Sequence, residues 1–149
     1  MKASELMQGN IVRYEYEGRK FPARVVETYR NSVLVESISG KYEPIEIDDG
    51  KIFPIPLTRK ILEKNGFKFD GSGQCSMMFL SEPQFAEGLR FNIYVGLKRK
   101  TIEVFAAHPI EKSPNWRKSN KVYLEVCGCY VHELQQALRL CGIEKEIVL

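Results

Sequence analysis

The sequence predicts an α+β protein, with a small SH3-like β-barrel followed by an α-β-β-β-β-α unit built on an antiparallel sheet. Three observations carry this reading. Residues 1–57 contain four or five short strand-like runs at about ten-residue spacing, separated by turn residues. Pro54 and Pro56 then hold Ile52–Leu57 extended, because each removes a backbone donor and disfavours helix in the residue before it. Residues 58–149 begin and end with helical patterns that enclose further strands. The boundary therefore falls after Leu57, giving a β unit at 1–57 and an α+β unit at 58–149.

In the first unit, Ser4 is the expected cap of a single turn, and Gly9-Asn10 opens a strand at Ile11. Val12, Tyr14 and Tyr16 alternate with Ile11, Arg13 and Glu15, so one face is apolar and the other mixed. Gly18 supplies a turn, and strands are expected over Phe21–Tyr29, Val33–Ile38 and Tyr42–Ile47. Asn31-Ser32, Gly40 and Asp48-Asp49-Gly50 punctuate them; the paired aspartates read as a turn.

The second unit opens with Thr58 as an N-cap, its hydroxyl accepting from a free amide of the first turn. Leu57, Ile61 and Leu62 supply an apolar stripe, Gly66 is the expected left-handed residue after the helix, and Phe67 should fold back on Leu62. Strands are expected at Phe67–Phe69, Cys75–Leu80, Leu89–Lys98, Thr101–Ala107 and from Val122. The third shows the clearest alternation, with Phe91, Ile93 and Val95 opposite Asn92, Tyr94 and Gly96. Lys98-Arg99-Lys100 forms a hairpin tip, and His108–Asn120 reads as a loop. In the last helix Val131, Leu134, Ala137, Leu138 and Cys141 form the apolar stripe, with Glu133, Gln135, Gln136 and Arg139 on the surface. Gly142 and Ile143 repeat the closing pattern of Gly66 and Phe67.

Composition bounds the function classes. The chain has 149 residues, 44% apolar and 28% charged, long enough to bury a core. No run approaches the roughly eighteen apolar residues of a membrane span. Residues 1–10 lack a signal-peptide core, so the expected location is the cytoplasm and no membrane partner is expected. The four cysteines are too sparse for a disulfide scaffold and are expected as free thiols. Net charge is +3 but uneven: residues 98–121 carry seven basic residues against Glu103 and Glu111.

The string Pro54-Ile55-Pro56-Leu57-Thr58, followed by Gly66-Phe67 and by Val131-His132 and Leu134-Gln135 near the end, resembles a family of small uncharacterised proteins of gut Bacteroidetes and their phages or mobile elements. The opening Glu5-Leu6-Met7-Gln8-Gly9-Asn10 is also similar to that family's start. The sequence departs from the family pattern after Gln135, where Ala137–Gly142 replaces aromatic residues and a Thr-Gly-Glu-Glu close, and Ser72–Asn120 has no clear match. The resemblance implies a phage or mobile-element type of protein and supplies no catalytic residues. His132 and Gln135 are motif residues of unknown role. Together they can offer a hydrogen-bonding pair to a ligand; in the preferred structural reading His132 anchors the loop or strand beside it.

Cys127-Gly128-Cys129 with His132 and Cys141 is the one cluster of soft ligands. Its spacing is tighter than that of usual zinc sites, and the preferred reading is buried thiols with no metal and no cofactor. No GxSxG, HExxH or glycine-rich phosphate loop is present, so no catalytic residue is assigned. The leading expectation is a non-catalytic binding or adaptor protein that engages a protein partner or a second copy of itself. The alternative is a nucleic-acid-binding accessory protein. In it, Lys98, Arg99, Lys100, Arg117, Lys118 and Lys121 contact phosphates while Trp116 stacks on a base.

Overall fold

The computed structural model describes residues 1–70, 77–83, 90–107 and 122–149. The protein is mixed α+β, and the described residues form two five-stranded antiparallel sheets. It divides into two compact units, and the chain visits each twice: Met1–Pro56 groups with Tyr130–Gln136, and Leu57–Cys129 groups with Ala137–Leu149. Among the described residues no helix is long and apolar enough to cross a membrane.

The first unit is a curled half-barrel sheet of β1 (Ile11–Tyr16), β2 (Arg19–Thr28), β3 (Ser32–Ser37), β4 (Ile45–Asp48) and β5 (Ile52–Phe53), in the order β4-β3-β2-β1-β5. Glu17 and Gly18 join β1 to β2 with φ of 50° and 71°, as in a type I′ turn, whose twist matches that of the strands it links. The register shift between Val25 and Glu27 on β2 is a bulge, which adds local bend and twist to the sheet. The core is one face of this sheet: Val12, Ala23, Val25, Val33, Val35 and Ile52 are all at most 1% exposed. Ala3 and Leu6 join that cluster.

Two expectations change here. Ser4 lies inside the 3-10 turn Ala3–Glu5 instead of capping it; Lys2 precedes the turn and its amide donates to the Glu5 carboxylate at 3.2 Å. The strand expected at Tyr42–Ile47 begins only at Ile45, because Pro44 lacks a donor and restricts Glu43. Asp49 lies in a 3-10 turn, as expected of a turn acid, and its carboxylate accepts the Ala3 amide at 2.6 Å.

Residues 130–136 belong to this unit through specific hydrogen bonds. Tyr130 bridges Pro56, and the Val131 amide donates to the Ile55 carbonyl at 2.9 Å. Tyr130 precedes helix α2 (Val131–Leu140), and the Glu133 carboxylate reaches back to the Tyr130 amide at 2.9 Å, half of a capping box. The Gln136 side-chain amide donates to the Glu5 carbonyl and to the Asn10 side-chain oxygen, both at 2.9 Å.

In the second unit, α1 (Arg59–Lys64) starts as the sequence dictates, with the Thr58 hydroxyl accepting the Ile61 amide at 3.2 Å. It ends in a Schellman motif: Gly66 has φ 85°, its amide donates to Glu63, and the Phe67 amide donates to Leu62, both at 3.0 Å. The same motif ends α2, where Gly142 has φ 70° and the Ile143 amide donates to Leu138 at 2.8 Å. Five strands follow α1 in a meander: β6 (Lys68–Asp70), β7 (Met77–Pro83), β8 (Arg90–Gly96), β9 (Thr101–Ala107) and β10 (Val122–Cys127), ordered β10-β9-β8-β7-β6. Each of the five runs expected from the sequence contributes a strand, one more than the α-β-β-β-β-α pattern counts. The central strand β8 is buried on both faces, since Tyr94 as well as Ile93 and Val95 is buried, with Tyr94 edge-on to Phe105 at 5.6 Å. The Asn65 side chain clamps the last residues, donating to the Val148 carbonyl at 2.8 Å and accepting its amide at 2.9 Å.

Candidate functional site

Residues paired across antiparallel strands share a face. The registers Tyr14–Phe21, Ala23–Ser37 and Val35–Ile45 therefore set one continuous inner face of the first sheet. Aliphatic residues fill it at its centre. Towards the β1–β2 turn the aliphatics give way to rings, and a groove of about 540 Å3 opens there. Tyr14, Tyr16, Phe21 and Tyr42 line it, over a floor of Val35 and Ile45. Tyr14 and Phe21 pack with ring centroids 5.7 Å apart. Tyr16 is 55%, Phe21 39% and Tyr42 71% exposed, so these rings form an apolar surface left in water.

The rim is acidic. Glu17 and Glu43 line the groove, and an adjoining depression of about 450 Å3, sharing Tyr16, Glu17 and Ile45, adds Glu15, Glu46 and Asp48. Lys51 is the one basic residue among the lining residues of the two. Glu17 holds a left-handed backbone, where a side chain with a Cβ is disfavoured by roughly 1–2 kcal/mol. Glycine, or asparagine at lower cost than most residues, is the usual occupant of such a turn position.

The sequence-predicted residues fall elsewhere. Lys98, Arg99 and Lys100 are exposed in the turn between β8 and β9, and Lys100 has φ 55°. Trp116, Arg117, Lys118 and Lys121, like His108 and Cys75, lie outside the described residues.

Gln135, expected on the helix surface, is 4% exposed. Its side-chain oxygen accepts the Ile11 amide at 2.8 Å, and its NH2 donates to the Gly9 carbonyl at 3.1 Å, so its burial strands no dipole. His132 is 5% exposed and stacks on Tyr130 at 5.9 Å; its Nδ1 meets no hydrogen-bond partner among the described residues. Burial pushes its pKa below the ordinary histidine value, against smaller opposing effects of Glu133 and Glu5.

The expectation of uniformly buried thiols changes too. Cys141 is buried and its thiol pKa is raised by burial, whereas Cys127 is exposed at the end of the outer strand β10 and Cys129 is half-buried. Among the described residues, no group of three or more His, Cys, Asp and Glu side chains is placed to hold a metal ion.

The groove residues were individually visible in the sequence. Assigning Tyr42 to a strand hid its exposure, and the Glu-Gly turn hid the strain at Glu17. No protein-family model, curated protein or solved structure matches the chain.

Proposed function

We propose that the protein is a non-catalytic binding or adaptor protein of phage or mobile-element type, whose first unit takes an extended segment of a protein partner in the aromatic groove. One observation carries this: Tyr16, Phe21 and Tyr42 stay exposed around a single concavity whose floor is continuous with the core. An SH3-like barrel is the fold reading that accompanies it. The order β4-β3-β2-β1-β5, with a 3-10 turn at Asp49–Lys51 leading into the short β5, supports that reading.

The test is selection of a displayed random dodecapeptide library on the full chain, in parallel with a Tyr16→Ala/Tyr42→Ala variant. Both rings are exposed, so the variant keeps its core. Peptides enriched on the unmodified chain and lost on the variant support the groove; equal recovery on both removes it.

The second reading, nucleic-acid contact, rests on three adjacent exposed cations in the β8–β9 turn, Lys98, Arg99 and Lys100. Its test is fluorescence anisotropy with single-stranded DNA, duplex DNA and RNA at two salt concentrations. Replacing all three with Ala should flatten the salt slope by about 2 on single strands if each contacts a phosphate. An unchanged slope excludes this turn.

A further inference from the structure

Resting on the groove reading above, we infer that the groove is specific for a cationic side chain, a lysine or arginine carried on an extended peptide segment. Charge complementarity is the first argument. Glu17 and Glu43 stand at the groove itself, and Glu15, Glu46 and Asp48 continue the negative rim, against Lys51 alone. Such a rim repels phosphates and acidic peptides and attracts a peptide cation. The second argument is the rings. Tyr16, Phe21 and Tyr42 provide π faces next to the carboxylates, and a cation held over an aromatic face gains from the ring quadrupole. The same sheet already uses this contact within itself, with the Lys20 ammonium 3.6 Å from the centre of the Phe53 ring. The third is Glu17. A carboxylate kept in a left-handed turn at the lip of the groove is a local cost that turn formation does not require.

An extended peptide is the fitting carrier. The groove is open along the sheet face, and its volume suits a few side chains rather than a folded domain. The lysine or arginine head would sit between the rings and the rim carboxylates, with its apolar stem along Val35 and Ile45.

The experiment uses the full chain and synthetic dodecapeptides, resynthesised from the display selection and labelled for anisotropy, each compared with a version in which every Lys and Arg is Gln. Binding is measured at 50 and 300 mM NaCl, between which the Debye length shrinks by a factor of about 2.4. The cationic peptide should bind about tenfold more tightly than its Gln version at low salt. Glu17→Gln/Glu43→Gln should weaken it about three- to tenfold, with the salt dependence reduced. Selected peptides that lack Lys and Arg, or Gln versions that bind equally and still depend on Tyr42, overturn the cation specificity and leave the groove standing. Binding that ignores Tyr16→Ala/Tyr42→Ala removes both.

Discussion

Gln135 and Ile11 meet through a 2.8 Å hydrogen bond although 124 residues separate them in the chain. The Gln135 oxygen accepts the Ile11 amide just where β1 begins, and its NH2 takes the Gly9 carbonyl. One side chain thus satisfies two backbone groups at the entry of the first strand, the Ile11 amide in a buried setting and the Gly9 carbonyl in a half-buried one.

Replacing Gln135 with Ala should therefore cost about 1–3 kcal/mol, the range for leaving a buried polar group without its partner. Urea unfolding of the purified chain reads this as a lower midpoint. Gln135→Glu should be at least as damaging, since a carboxylate cannot donate to the Gly9 carbonyl. A midpoint unchanged in both variants would show that the clamp contributes nothing.

His132 makes stability pH-dependent. Its folded pKa lies below its unfolded value, so the unfolded chain takes up a proton first as pH falls. The stabilisation is complete above the unfolded pKa of about 6.5 and is lost progressively as pH drops from there towards the lower folded pKa. The groups facing it with opposite effect are Glu133 and Glu5. Thermal unfolding should show a midpoint that falls between pH 7.5 and 5.5, with a smaller fall in His132→Gln; parallel curves would assign the acid sensitivity to other groups.

Glu17 predicts a trade between stability and binding. Glu17→Asn places a residue suited to positive φ in the turn and should raise stability by about 0.5–1 kcal/mol. The same change removes a rim carboxylate and should weaken capture of the cationic peptide. Greater stability with unchanged affinity would take Glu17 out of the site.

Gly96 packs against its cross-strand partner Thr101. A Cβ added at Gly96 would stand 2.9 Å from the Thr101 hydroxyl, itself buried and without a hydrogen-bond partner among the described residues. Gly96→Ala should cost about 1–2 kcal/mol, and less in a Thr101→Ala background. Additive effects in that double-mutant cycle would exclude the clash.

Local chemistry made much of the second unit legible from the chain alone. Thr58, Gly66 with Phe67, and Gly142 with Ile143 act on backbone groups within a few residues, so their pattern in the sequence is nearly their structure. The β8 alternation was legible in period but not in burial, because Tyr94 is covered by Phe105 from the neighbouring strand. Gln135 was hidden for the same reason, since its partners are remote and a polar residue on a helix looks solvated until they arrive.

The α+β class, both Schellman ends, the Thr58 cap and most strand positions follow from the chain's local pattern, because all depend on short-range sterics and hydrogen bonding. Long-range packing sets the rest: residues 130–136 fold with the first unit, Gln135 becomes a buried clamp, and Tyr16, Phe21 and Tyr42 gather beside Glu17 and Glu43. Those arrangements depend on strand order and register, which place residues from separate parts of the chain together by burying apolar area, a force that carries no sequence address.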